Sequence, residues 1–262
     1  MSLQDKNAII YGAGGAIGGG VARAFARDGA RVFLTGRTRV ALNAVAADIV
    51  AAGGQAEVAE VDALDERAVD EHARSVVGHA GSIDVSFNLI TRGDVQGVPL
   101  VKMSTDDLVH AVTTGLTSNF LTARAAARHM MEQGSGVILA LNSGSAHGSP
   151  MMGSTGPADA ALDTFIRNLA AEIGPSGVRV LGIWTAGLPE TLSPAKLKAV
   201  NSDLDLDDAA FQGLLNQLDQ LRMTRRSPRL AQVADTAAFL ASDRAAAITG
   251  TFVNVTSGMF PS

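Results

Sequence analysis

The sequence predicts a doubly wound α/β fold, in which a seven-stranded parallel sheet carries helices on both faces. Short apolar runs alternate with longer segments that carry apolar residues at helical spacing, and this alternation is typical of parallel strand–helix–strand units. Hydrophobic residues make up 47% of the 262 residues, which suits a sheet buried on both faces. No linker or composition break divides the chain, so we predict a single domain over residues 1–262.

The strands are predicted from short apolar runs, and the helices from the apolar spacing between those runs. The predicted strands are residues 8–11, 31–35, 56–61, 83–89, 137–142, 179–184 and 251–255. One segment, residues 188–227, has no strand pattern and instead contains two polar helical stretches. A long insertion of this kind is usually functional, so we interpret it as a lid over a substrate pocket. The alternative is a surface cap that only covers the edge of the sheet.

Composition excludes several classes of function. The net charge is −5 with acids and bases interspersed, so no basic surface indicates a nucleic acid partner. The absence of cysteine excludes disulfides and thiolate catalysis. The acidic run at residues 203–208 lacks the glycine and glutamate of a calcium loop, so we predict a solvated helix start and no metal. No apolar stretch is long enough for a membrane span, and we expect a cytoplasmic protein.

A glycine-rich turn follows the first predicted strand and opens the first helix. Glycines let the backbone turn tightly and approach a pyrophosphate, and the helix N-terminus offers free N–H groups and a positive dipole end. The order of strand, turn, helix and second strand therefore predicts a dinucleotide site of the Rossmann type. The alternative is a glycine-rich turn with no ligand. The predicted contacts are Gly12, Gly14, Gly15, Ala16, Ile17 and Gly18.

The end of the second strand predicts the choice of cofactor. An NAD enzyme usually places an acid here to bind the ribose 2′-hydroxyl, but this chain has Gly36 followed by Arg37. A guanidinium can bind a 2′-phosphate that a carboxylate would repel. We therefore predict NADP(H) over NAD(H), with Arg39 as a second contact. The alternative is that Arg37 is a solvated loop residue.

These motifs resemble the short-chain dehydrogenase/reductase family over the whole chain. The turn is similar to the family's Thr-Gly-x-x-x-Gly-x-Gly loop, with Ala16 in place of the middle glycine and Tyr11 in place of the threonine. Residues 253–258 resemble the family's Asn-Val-Asp-Gly-Gly strand ending. The resemblance further implies cofactor contacts from Asp62 and Ala63 after the third strand and from Asn88 in the fourth. An ordinary turn acid is the alternative for Asp62.

The resemblance also indicates where catalysis takes place. The family uses a serine to orient the substrate, a tyrosine to move the proton, a lysine four residues later, and an asparagine on an earlier helix. Ser143 matches the serine. Thr155, Asp159 and Gly115 occupy the tyrosine, lysine and asparagine positions, and the only tyrosine of the chain is Tyr11.

Other side chains are candidates to replace the missing groups. His147 lies four residues after Ser143 and is a candidate because a histidine side chain can transfer protons near neutrality, although it also fits a solvated loop histidine. Asp159 is a candidate acceptor for ribose hydroxyls or a first-turn acid that complements the helix dipole. Asn119 lies one turn after Gly115 on nearly the same helix face.

Two functions follow from this pattern. The first is an NADP(H)-dependent oxidoreductase with an atypical active site, acting on a small carbonyl or hydroxyl substrate such as a 3-oxoacyl group or a ketone. The second is a catalytically impaired cofactor-binding protein or regulatory subunit. The resemblance also implies a homotetramer, or a homodimer, assembled through the long fourth and fifth helices.

Overall fold

The computed structural model describes residues 2–260, so residues 1, 261 and 262 of the predicted domain lie outside the described chain. Seven strands form one sheet: β1 (Asn7–Tyr11), β2 (Arg31–Gly36), β3 (Gln55–Glu60), β4 (Val85–Asn88), β5 (Gly136–Asn142), β6 (Val178–Trp184) and β7 (Phe252–Asn254). Their order is β3-β2-β1-β4-β5-β6-β7, and every neighbouring pair is parallel. The predicted doubly wound α/β fold with seven parallel strands is therefore confirmed.

Helices cover both faces of this sheet. They are α1 (Ala16–Arg27), α2 (Arg39–Ala51), α3 (Glu66–Ala80), α4 (Thr105–Gln133), α5 (Thr155–Ile173), α6 (Pro194–Val200), α7 (Asp208–Gln220) and α8 (Leu230–Ala241). One hydrophobic core packs α1, α2 and α8 against the sheet, with Phe25 and Leu240 fully buried. A second core packs α3, α4 and α5 against the other face, around Met130 and Ile166. Two separate cores of this kind are what a sheet buried on both faces requires.

The sequence located every strand, and the errors lie at the boundaries. The fourth run was predicted as residues 83–89, but the hydrogen-bonded strand covers only Val85–Asn88. Ile83 is fully buried and Leu89 is partly buried although neither belongs to the strand. Burial therefore extends past the ladder, and an apolar pattern alone overestimates the length of this strand.

The two ends of α4 show how local chemistry sets the helix limits. The Ser104 hydroxyl accepts a hydrogen bond from the Asp107 N–H at 3.1 Å, which satisfies one free donor of the first turn. Gly134 ends the helix with a φ of +72°, a left-handed conformation that glycine adopts without strain. This helix packs along β4 and β5 and brings Gly115 against Arg92 in the loop after β4.

The segment at residues 188–227 contains a short 3₁₀ turn and the helices α6 and α7, as the two polar stretches predicted. Near the end of this segment, the side chain of Arg222 is buried and donates to the Ala186 carbonyl at 2.8 Å, which ties the segment to the loop after β6. The Gln96 N–H donates to the Val200 carbonyl at 3.0 Å, which joins the end of α6 to the loop after β4. Among the helices described, none has the length and apolar character needed to cross a membrane.

His72 makes the stability of the fold depend on pH. Its Nδ1 is buried without a hydrogen-bond partner among the described residues, and its ring lies edge-on to Tyr11 at 6.5 Å. Burial lowers the pKa of His72 to about 4, against a smaller opposing effect of Glu57. Between pH 4 and 6.5, His72 therefore stays neutral in the folded protein, whereas in the unfolded chain it binds a proton at its ordinary pKa of 6.5.

We predict that the free energy of unfolding falls by about 1–3 kcal/mol as the pH is lowered from 6.5 towards 4. The sign follows because the unfolded state binds more protons than the folded state in this window. Urea titrations at several pH values measure the effect, and His72→Gln should flatten the dependence. His110→Gln, at an exposed helical position, should keep it. If the free energy of unfolding fell equally at low pH in the wild-type protein and in His72→Gln, the assignment to His72 would be wrong.

Candidate cofactor site and active site

The turn after β1 is shaped so that only glycine fits at two of its positions. Gly12 has a φ of +78°, and a Cβ there would lie 2.7 Å from the Leu89 carbonyl oxygen. A Cβ on Gly18 would lie 2.2 Å from the Gly12 carbonyl oxygen. The first turn of α1 therefore packs directly on the backbone of the loop, and its free N–H groups lie at the carboxyl edge of the sheet.

The surface around this turn is open at the same edge. Gly14, Gly15 and Ala16 are exposed, Ile17 is half-buried, and Arg37 is exposed just after β2. The N–H groups of Gly12 and of the next residue both donate to the Thr35 carbonyl, at 2.9 and 3.0 Å, which fixes the loop to β2. A glycine cradle that a Cβ would fill, facing a helix N-terminus and an exposed arginine, fits a dinucleotide phosphate group.

Three further predicted contacts lie along this edge with different degrees of access. Asp62 is exposed after β3, and its Oδ1 accepts from the Leu64 N–H at 3.0 Å, while Ala63 is buried. Asn88 is buried, and its Oδ1 accepts from the Ile90 N–H at 3.1 Å. Asn88 therefore shapes the backbone after β4, whereas Asp62 is exposed and binds the backbone through one carboxylate oxygen, Oδ1.

Ser143 and Asp159 lie together at the end of β5. The Ser143 hydroxyl donates to Asp159 Oδ2 at 2.6 Å, and the backbone N–H groups of Ser143 and Ser145 donate to the same oxygen at 3.0 Å each. The Asp159 side chain is 0% exposed. Its carboxylate therefore holds the loop after β5 against α5, and its oxygens already have protein donors.

Arg92 supplies the cation of this site. Its Nη1 lies 2.9 Å from Asp159 Oδ1, its Nη2 lies 2.9 Å from Asp94 Oδ1, and its side chain is 13% exposed. Burial lowers the pKa of Arg92, but the Asp94 and Asp159 carboxylates outweigh this effect and raise it above its ordinary value. Sequence reasoning missed Arg92 because it lies far from Asp159 along the chain and belongs to no motif.

Gly115 provides the room that Arg92 occupies. A Cβ on Gly115 would lie 2.5 Å from Arg92 Cδ and 3.2 Å from its Cγ. Asn119, one turn later, is buried and donates its amide to the Gly115 carbonyl of its own helix at 2.9 Å. The space beside Gly115 is thus filled by an arginine stem, and the amide of Asn119 is directed back along α4.

Thr155 and His147 lie on either side of this cluster. Thr155 is 2% exposed, and its hydroxyl accepts from the Gln96 side-chain amide at 2.9 Å. His147 is exposed, and its ring packs edge-on against Trp184 with a centroid separation of 4.8 Å. The structure thus brings Ser143, Thr155 and Asp159 to one corner of the sheet edge, with His147 at its surface.

Tyr11 lies in the core below the glycine turn. Burial, aided by the charge of Asp70, raises the pKa of its phenol above the ordinary value, so it is a poor proton donor. Within residues 2–260, no group of three or more histidine, aspartate or glutamate side chains is arranged to hold a metal ion.

Comparisons with known proteins place this geometry in context. The family profile described as enoyl-(acyl carrier protein) reductase matches residues 12–260. L-rhamnose 1-dehydrogenase (NAD(P)(+)) from Azotobacter vinelandii is 34% identical, over 99% of this chain and 98% of its own. The 3-oxoacyl-[acyl-carrier-protein] reductase from Pseudomonas aeruginosa is 30% identical over 100% of both chains.

Solved structures agree with these sequence relatives. A 7α-hydroxysteroid dehydrogenase complexed with NADH and 7-oxo glycochenodeoxycholic acid has a TM-score of 0.82 and 29% identity, covering 98% of this chain and 94% of its own. An NAD⁺-bound xylitol dehydrogenase has a TM-score of 0.87 at 24% identity, covering 98% and 100%, and supports the fold alone.

We predict that Gly115→Ala destabilises the protein, although alanine normally stabilises a helix by about 0.5–1 kcal/mol relative to glycine. The new methyl group displaces Arg92 and leaves Asp159 buried without its cation. Complete loss of one partner of a buried pair costs about 3–5 kcal/mol, so we expect a net loss of about 1–4 kcal/mol.

The matched control is Gly78→Ala in α3, where an added Cβ meets no atom within 4 Å. Thermal unfolding of both variants measures the difference. Gly78→Ala should raise the melting temperature slightly, and a comparable rise in Gly115→Ala would show that Arg92 moves aside without cost.

Proposed function

The chain belongs to the short-chain dehydrogenase/reductase family, and we propose that it is an NADP(H)-dependent oxidoreductase whose active site departs from the usual family arrangement. The observation that carries the proposal is the glycine cradle at the sheet edge. There Gly18 packs on the Gly12 carbonyl, and the first turn of α1 keeps free N–H groups that can bind a phosphate. When bound there, the cofactor supplies the hydride chemistry, and the protein supplies position and electrostatics.

The preference for NADP(H) rests on Arg37. No carboxylate lies at the end of β2 to bind a ribose 2′-hydroxyl, since Gly36 occupies that place. The exposed guanidinium of Arg37 is free to bind a 2′-phosphate, with Arg39 beside it. Asp62 is the proposed contact for the adenine, because its exposed carboxylate keeps one oxygen without a backbone donor.

The proposed catalytic site is the corner formed by Ser143, Thr155 and Asp159. Ser143 is half-buried in the loop after β5, and we propose that its hydroxyl contacts the reacting oxygen of a small carbonyl or hydroxyl substrate. Thr155 and Asp159 take the family's tyrosine and lysine positions, so the phenol and ammonium used elsewhere in the family are replaced. His147 is the nearby titratable side chain at the surface of the corner and is the proposed route for protons.

A second function is favoured by the way Asp159 is held. Its carboxylate is fully buried and accepts four protein hydrogen bonds, and the Thr155 hydroxyl is bound by Gln96. A site so internally bonded also suits a cofactor-binding protein that has lost turnover. Both functions bind the cofactor, so turnover separates them. A change in NADPH absorbance with a small alcohol or ketone supports the enzyme, and cofactor binding without turnover supports the binding protein.

The segment at residues 188–227 is the proposed lid. Its hydrogen bond from Gln96 to Val200 connects it to the same loop that carries Arg92. For assembly we propose a homotetramer, with a homodimer as the alternative. Apolar side chains on the outer face of α4 support this, because Phe120 is 42% exposed and packs edge-on against Phe165 of α5 at 6.2 Å. Light scattering at micromolar concentration measures the assembly.

We predict that NADPH binds about tenfold to a hundredfold more tightly than NADH. The expected size follows from one charge-assisted contact to phosphate, which contributes about 1.5–3 kcal/mol. Calorimetric titration of both cofactors measures it. Arg37→Ala should remove most of the preference without weakening NADH binding.

Arg67→Ala is the matched control, because Arg67 is an exposed arginine on α3. It should leave both affinities unchanged. Equal affinities of the wild-type protein for NADPH and NADH would overturn the assignment of Arg37, and the absence of binding to either would overturn the proposed function.

A further inference from the structure

We infer that Arg92 and Asp159 fix the Ser143 hydroxyl as a hydrogen-bond acceptor toward the pocket, so that the site binds a substrate hydroxyl in preference to a carbonyl. The inference rests on the proposed function for the identity of the pocket and names the class of substrate. Arg92 and Asp159 act through Ser143 and are positioning residues. Ser143 is the group that contacts the substrate.

The hydrogen of the Ser143 hydroxyl is directed at Asp159. Its Oγ lies 2.6 Å from Asp159 Oδ2 and 2.6 Å from Ser145 Oγ. A carboxylate only accepts hydrogen bonds, so the hydrogen between Ser143 and Asp159 belongs to Ser143. A hydroxyl has one hydrogen, and the contact with Ser145 must therefore use the hydrogen of Ser145. Ser143 has none left to donate to a substrate.

This assignment requires that Asp159 is ionised, and its surroundings support that state. Every other group that contacts its two oxygens is a donor, namely the Arg92 guanidinium at 2.9 Å and the N–H groups of Ser143 and Ser145 at 3.0 Å. A protonated carboxyl could give its hydrogen only to Ser143 Oγ, and the buried Arg92 guanidinium would then lose its counter-charge on this side. Arg92 supplies the opposite charge that a fully buried carboxylate needs.

Arg92 reaches this position only because α4 has a glycine beside it. Its Cδ and Cγ occupy the space where a side chain on Gly115 would begin. The guanidinium is held from its other side by Asp94, with Nη2 to Oδ1 at 2.9 Å. Gly115, Arg92 and Asp159 therefore act as one unit that sets the direction of the Ser143 hydrogen.

The consequence is a preference for one form of the substrate. Ser143 Oγ also accepts from the Ser145 N–H, but this contact is long at 3.3 Å and the same N–H donates to Asp159 at 3.0 Å. An alcohol can donate its hydrogen to Ser143 Oγ in place of that weaker contact. A carbonyl oxygen is an acceptor and would face another acceptor, which leaves both groups unsatisfied. We expect the alcohol of an alcohol–ketone pair to bind about tenfold more tightly, as for the loss of one partner at a buried polar group.

Neutron diffraction from deuterium-exchanged crystals of the unliganded protein tests the hydrogen directly. The expected result is deuterium on Ser143 Oγ directed at Asp159 Oδ2, and deuterium on Ser145 Oγ directed at Ser143. Deuterium on Asp159, or a Ser143 deuterium directed into the pocket, would overturn the inference. This measurement needs neither cofactor nor substrate, so it stands even if NADPH does not bind and the proposed function fails.

Ligand-observed NMR tests the substrate class with matched probes, cyclohexanol with cyclohexanone and 2-butanol with butanone. Alcohols are titrated with NADPH present and ketones with NADP⁺ present, so that neither member reacts. The wild-type protein should prefer the alcohol in each pair by about tenfold. Ser143→Ala should bring the ratio close to one. A wild-type protein that prefers the ketone, shows no preference, or binds neither member would count against the inference.

Variants of the positioning residues separate orientation from simple folding. Arg92→Met and Gly115→Ala should each lower the alcohol-to-ketone affinity ratio, whereas Arg92→Lys keeps the charge and should restore much of it. Arg167→Met is the matched control, because Arg167 pairs with the other buried aspartate of α5, Asp163, at 3.6 Å. Its ratio should stay at the wild-type value. If Arg92→Met lowered the melting temperature but left the alcohol-to-ketone affinity ratio unchanged, Arg92 would have a structural role only. The proposed positioning role of Arg92 would then be wrong.

Discussion

The parallel direction of the seven strands is the constraint on which the other features of this protein depend. Because neighbouring strands all run the same way, their carboxyl ends meet at a single edge of the sheet. The loops after β1, β2, β4 and β5 therefore converge there, although the first and the last of them lie more than a hundred residues apart in the sequence. The glycine cradle, Arg37, Arg92 and Ser143 share a neighbourhood for this reason.

Within that neighbourhood, the buried carboxylate of Asp159 organises the corner proposed as the active site. A carboxylate removed from water is tolerated only with donors and an opposite charge around it. The chain supplies these from three places: the loop after β5, the loop after β4, and the space left by a glycine on α4. The charge pattern of the corner is therefore an acid on α5 and a cation on a distant loop, where the family resemblance implies a lysine on the helix itself.

This arrangement links the architecture to the proposed chemistry. Ser143 is half-buried and is hydrogen-bonded to the Asp159 cluster, so in the proposed site the direction of its hydrogen decides which group a ligand can present to it. The glycine cradle is shaped by Gly12 and Gly18, by the Thr35 carbonyl of β2 and by the Leu89 carbonyl just after β4. It meets the cluster through the loop after β4, which continues to Arg92.

The sequence by itself determined the fold class and the position of each strand along the chain, and it predicted the cofactor turn, because apolar periodicity and the glycine turn after β1 are local signals. It also located Ser143, Thr155 and Asp159, since their spacing resembles a family pattern. It did not reveal that Arg92 pairs with Asp159, or that Gly115 makes room for Arg92. Those facts depend on contacts between the β4 loop, α4 and α5, and only the tertiary structure brings these elements together. No local pattern encodes which distant cation neutralises a buried carboxylate.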